Sequence, residues 1–178
     1  NLGGLLLAAA GDTRRGLVEA LSASIERVNG LHATTCDLGH PGSPSATVAV
    51  ARIRDARLEH LVLSDSVLVL DRRDEGPAAI TDDRLAEVIA QLDEPDDPSP
   101  VGSDAHAGRL RSRVERLASF RNRPGGFWVA STNPEAASEA LTGSTPLAKL
   151  DAVALLSDGA SRLADRFGLM TWPDVLAV

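Results

Sequence analysis

Between Ala46 and Leu70 the chain offers three extended segments with almost nothing between them: Ala46 to Ile53, Leu58 to Leu63 and Val67 to Leu70. The first is rich in Val and Ala, and all three are bounded by turn residues, the pattern of short strands. A parallel pair needs a crossover of about a dozen residues or more. Ser64-Asp65-Ser66 leaves no room for one. Antiparallel pairing is therefore predicted, and the three segments read as a meander.

The flanking chain reads as helices and further short strands. Asp12 can cap a helix to about Asn29, with Leu17, Leu21, Ser24 and Val28 on one face and Asn29-Gly30 as its stop. Ala78 to Thr81 adds a fourth strand. Thr81 or Asp82 then opens a helix in which Leu85, Val88, Ile89 and Leu92 recur at i, i+3, i+4, i+7. Residues 93–103, acidic and proline-rich, read as a mobile surface loop. A helix over Asp104 to Phe120 carries Leu110, Val114 and Leu117 on one face, and Gly125-Gly126 reads as a turn. Phe127 to Ser131 reads as a strand, and Asn133-Pro134 opens a short helix that Gly143 closes. Val153 to Leu156 reads as a buried strand, and Leu163 and Phe167 follow at helical spacing. This order predicts an α+β fold with antiparallel sheet.

Length and composition fit a single domain over residues 1–178, since 178 residues at 43% hydrophobic content suffice for one sizeable core. A net charge of −7 argues against general nucleic-acid binding, which needs positive neutralisation of phosphates. Leu5 to Ala10 is too short to span a membrane and lacks the basic flank of a signal peptide. The single cysteine, Cys36, is compatible with a reducing cytoplasm, and beside Asp37 it reads as an inert thiol. Abundant Ala, Leu, Arg and Asp, with no Tyr and Lys149 as the one lysine, point to GC-rich bacterial coding. The start at Asn1 and the end at Val178 lead us to expect a portion of a longer protein.

The candidate chemistry narrows to carboxylates and arginines. His32, His40, His60 and His106 lack the HExxH spacing of a zinc site. Ser43, Ser45 and Ser131 lack the GxSxG setting of an activated serine. Asp65, Asp82 or Asp83, and Asp158 stand at strand ends, where separated aspartates suit hard divalent cations that retain several waters. Asp158, in Ser157-Asp158-Gly159, has two readings: a metal-binding acid at a strand mouth, or a helix N-cap. Arginines 109, 111, 113, 116, 121 and 123 crowd one stretch. Their planar forks suit phosphate, with Arg109 and Arg113 the foremost candidates. A solvated helix face is the plainer alternative.

Taken in order, four segments resemble the metal-dependent protein phosphatase 2C family. PGSPSATVAVARI (Pro41 to Ile53) resembles the family's Ser/Gly-Thr-Ala strand opening. LVLSDSVLVLDR (Leu61 to Arg72) is similar to its Gly-Asp-Ser hairpin, with Ser64 in place of the usual glycine. AAITDDRL (Ala78 to Leu85) loosely resembles its Leu-Thr-x-Asp-His segment, and LDAVALLSDGASRL (Leu150 to Leu163) is similar to its Ser-Asp-Gly motif. The likeness covers roughly residues 41–170.

The resemblance implies a four-layer αββα sandwich with a pair of Mg2+ or Mn2+ ions between its sheets. It implies attack by a metal-activated water on a phosphorylated protein or a small phosphomonoester. Asp158 matches the aspartate that binds the metal pair, and Asp65 the aspartate linked to a third, weaker position. The family's early Asp-Gly-x-Gly and late Asp-Asn are absent, and Arg162 stands four residues after Asp158 where many members carry an acid. Three expectations follow, of which the first two are a bacterial, cytoplasmic metal-dependent phosphatase whose remaining ligands lie in a longer protein, and a catalytically silent regulatory or phosphoprotein-binding module of the same fold. An unrelated α+β domain in which Asp158 merely caps a helix is the third.

Overall fold

The structure, a computed structural model, describes residues 1–40, 42–92 and 98–177. Residues 93–97 of the expected mobile loop lie outside the described residues. Among the described residues the fold is mixed α+β, with two three-stranded antiparallel sheets and helices before and after them. No described helix is long and apolar enough to cross a membrane.

Two helices lead. α1 (Leu2–Gly11) is capped by the Asn1 side chain, and α2 (Leu17–His32) follows. The sequence predicted one helix from Asp12. Instead Asp12 ends α1 and binds Arg14, so residues 12–16 form a turn between two helices. The nearly buried Arg52 side chain fastens this turn, donating to the carbonyls of Ala10 (3.1 Å) and Arg15 (2.6 Å) and pairing with Glu59 at 2.8 Å.

The strands are β1 (Val48–Arg54), β2 (Arg57–Leu63), β3 (Val67–Arg72), β4 (Gly76–Ile80), β5 (Leu141–Pro146) and β6 (Leu150–Leu156). Antiparallel pairing holds throughout, but the expected meander does not form. One sheet has the order β1-β2-β5 and the other β4-β3-β6, so the chain changes sheet between β2 and β3. The three residues Ser64-Asp65-Ser66 make that passage. Ser64 takes a left-handed φ of 64°, which turns the backbone out of β2 rather than into a hairpin.

Opposite faces of β2 feed different cores, because side chains alternate along a strand. Leu61 and Leu63 pack with Leu6, Leu17, Leu21 and Ile25 of α1 and α2. Leu58 and Val62 pack with Leu68 and Leu70 of β3 and Leu150 of β6, joining the two sheets. α3 (Arg84–Gln91) forms as its spacing predicts, and Val88 packs with Phe127 and Val129.

Several local expectations are corrected. Phe127 to Ser131 is largely buried but makes only isolated bridges, Ala130 to Ala46 and Phe127 to Arg121. Gly126 before it is obligatory, since a Cβ there would lie 1.9 Å from the Phe120 carbonyl oxygen. Asn133 caps a 3-10 turn over Pro134–Glu139, and Gly143 does not stop a helix but sits within β5. α4 (Asp104–Ala118) forms, yet Leu110 and Val114 on its apolar face stay exposed. β6 is half-buried, with Val153 and Leu155 exposed on alternate positions. α5 (Asp158–Asp165) follows it directly, and α6 (Trp172–Leu176) lies against β4 and β6.

Candidate functional site

Two of the predicted acids come together. Asp65 sits on the passage between sheets, and Asp158 is the first residue of α5, straight after β6. β3 begins at Val67, which pairs with Leu156 at the end of β6. That register brings the Ser64-Asp65-Ser66 turn and the Ser157-Asp158-Gly159 turn to the same sheet end. The passage is held from two other sides. Thr47 and Ser66 hydroxyls lie 2.8 Å apart, and the Asp82 amide donates to the Ser64 carbonyl at 3.3 Å.

The electrostatics record the convergence. Burial pushes the Asp65 carboxyl above the ordinary aspartate value, and the Asp158 charge pushes it further the same way. Its own amide, the nearby Ser64 hydroxyl and the Arg162 guanidinium oppose that rise. Ser64 is fully buried, and its Oγ lies close enough to favour the charged carboxylate without completing a hydrogen bond.

Asp158 is not the cap of its helix. Ser157 holds the N-cap position, and both oxygens of Asp158 accept from Arg162 one turn on, Nε to Oδ1 at 3.3 Å and Nη2 to Oδ2 at 2.5 Å. The sequence marked Arg162 only as a departure from the family pattern. Its i, i+4 spacing from Asp158 was the available sign that the two would pair.

Asp82 belongs to a different unit. Its carboxylate is buried and takes a two-pronged hydrogen bond from Arg84, at 2.9 and 2.8 Å, while Arg84 also reaches Glu139 at 3.0 Å. That network ties the start of α3 to the 134–139 turn. Asp83 is the N-cap residue of α3. Arg109 and Arg113 are exposed on α4, and neither is among the charges that act on Asp65. Cys36 is exposed, with its Sγ 3.6 Å from His32 Nδ1, beside a concavity of about 400 Å³ at the C-terminal end of α2. A second concavity, of about 360 Å³, lies between Arg84, Glu87 and Trp128.

The Asp65 and Asp158 carboxylates fit a hard divalent cation in kind. They also fit one magnesium ion in number, since that ion keeps several waters and commonly takes one or two carboxylates. A pair of ions asks for more. Among the described residues no group of three or more His, Cys, Asp or Glu side chains is gathered to hold a metal. Searches against protein-family models, curated proteins and solved structures found no match to this chain.

Proposed function

We propose that this chain is a protein phosphatase 2C-like domain, with a four-layer αββα arrangement, that hydrolyses phosphomonoesters of protein serine or threonine in a bacterial cytoplasm. The observation that carries this reading is the convergence of Asp65 and Asp158. They belong to the two segments most similar to the family's acid-bearing motifs, and the β3–β6 pairing brings those segments to one sheet end.

In this reading Asp65 and Asp158 hold a Mg2+ or Mn2+ ion at the sheet end. Such an ion, when bound, supplies an activated water and neutralises charge developing on the phosphoryl oxygens. The protein's own part is positional. The Ser64 turn and the β3–β6 pairing fix the two carboxylates on rigid elements, and the partial burial of Asp65 weakens its competing hydration. A second ion, as the family resemblance implies, would draw on ligands beyond these two. Arg109 and Arg113 on α4 offer planar forks for the phosphate of a protein partner, away from the reacting centre.

The purified protein should hydrolyse p-nitrophenyl phosphate and a phosphothreonine peptide in a manganese-dependent way, and Asp158→Ala should abolish this while the fold persists. No metal-stimulated turnover above a mock preparation would exclude the enzyme. One feature favours the second reading, a catalytically silent phosphoprotein-binding module: the guanidinium of Arg162 already neutralises Asp158. In that case phosphopeptide affinity should survive Asp158→Ala and fall on charge reversal at Arg109 and Arg113.

A further inference from the structure

Arg162 is the side chain at this site that the family resemblance does not supply. It lies one turn into α5, so the helix itself holds its guanidinium over Asp158. Its fork engages both carboxylate oxygens at once, using lone pairs that a cation would need. Its charge is also felt at Asp65, where it favours the ionised carboxylate. The local balance is therefore two carboxylates and one guanidinium. A divalent cation approaching Asp158 therefore meets a group of its own sign already bonded to both carboxylate oxygens.

We propose that Arg162 is the resident counter-cation of Asp158 and competes with a divalent metal ion for that carboxylate, thereby setting the metal concentration at which the site loads. The proposal rests on the reading of Asp158 as a metal ligand. The pair is displaceable rather than locked. Both side chains are 42% exposed, and ion pairs at such exposure contribute little to stability. Loading would free the Arg162 fork toward solvent, and the site would pass from an internally neutralised state to a metal-bound one without rearrangement of either strand. Magnesium sheds its waters reluctantly and commonly takes only one or two carboxylates, and a like charge within hydrogen-bond reach opposes its binding.

The test is calorimetric titration of the purified protein with Mn2+, with no substrate present. Arg162→Gln should lower the apparent Kd by about tenfold, the gain expected from removing a half-exposed ion pair and its repulsion of the metal. Arg162→Lys, which keeps the charge but not the fork, should stay within about twofold of the parent. Asp158→Asn combined with Arg162→Gln should remove the gained affinity. Equal Kd values for the parent and Arg162→Gln would overturn the competition while leaving metal binding in place. A lysine variant as tight as the glutamine variant would overturn the charge argument, and affinity that survives Asp158→Asn would place the ion elsewhere. Absence of Mn2+ binding in every form would remove the metal reading itself, and this proposal with it. Thermal melting of each variant checks that the fold is retained.

Discussion

Asp65 and Asp158 stand close enough that, after burial, the Asp158 charge is the main influence holding the Asp65 carboxyl above the ordinary aspartate range. The local turns that hold each residue do not by themselves bring the two together. The pairing of Val67 with Leu156 places both, because it brings the start of β3 beside the end of β6.

This relationship gives a pH dependence with a definite sign. A carboxyl whose folded value is raised above 3.8 adds most to stability in acid, and that contribution fades as pH rises through the folded value. Asp65→Asn should therefore stabilise the protein at pH 7, by under about 1 kcal/mol once solvent screening is allowed for. The advantage should vanish below about pH 4. Urea midpoints across that range check it, and an advantage that persists in acid would rule out the charge as its origin.

Arg84 should matter more than most half-exposed arginines. The Asp82 side chain is only 4% exposed and depends on the Arg84 fork. Arg84→Ala strands a buried carboxylate and should cost about 3 kcal/mol. Arg84→Lys should recover only part, since one ammonium cannot reproduce the two-pronged contact. Chemical denaturation of the two variants measures the difference.

His60 and Gly143 face one another across β2 and β5. A Cβ at position 143 would lie 2.5 Å from His60 Cε1, so Gly143→Ala should cost about 1–3 kcal/mol through overpacking. His60→Ala on the same background should relieve the clash, a coupling that a double-mutant cycle detects. Burial, with the Arg72 charge, also lowers the His60 pKa. Its stabilising contribution is thus present above the ordinary value of 6.5 and is lost as pH falls through the folded value. The acid-side loss of stability should be shallower in His60→Leu.

The β1–β2 hairpin turns through Asp55 and Ala56, both left-handed at φ 49° and 56°. Such turns favour Asn-Gly, and a left-handed alanine is strained. Asp55→Asn with Ala56→Gly should stabilise the protein by about 1 kcal/mol. A rise in melting temperature checks this. No rise would mean that the unfolded chain's gain in freedom offsets the relief.

Local and pairwise facts were legible from the residues alone. The short turn after Ala46 to Ile53 left only antiparallel pairing for β1 and β2, apolar periodicity marked α3, and an apolar run broken by Ser157-Asp158-Gly159 marked β6 and the start of α5. These depend on steric rules and repeat periods that act over a few residues. The sheet to which each strand belongs is a different kind of fact. Nothing in Leu58 to Leu70 declares that β2 and β3 part company; the left-handed Ser64 and the separate demands of the two cores on β2 decide it. Gly143 read only as the stop of a helix, yet Leu141 to Pro146 pairs with β2 as a strand, with Gly143 against the His60 ring. Phe127 to Ser131 has a strand's composition and is largely buried without a ladder, since its partners supply only isolated bridges. The same division runs through the site. Asp65 and Asp158 were visible as candidates, and the Arg162 spacing was visible too. Their meeting at one sheet end was settled by tertiary pairing, through long-range hydrogen bonds that no local pattern encodes.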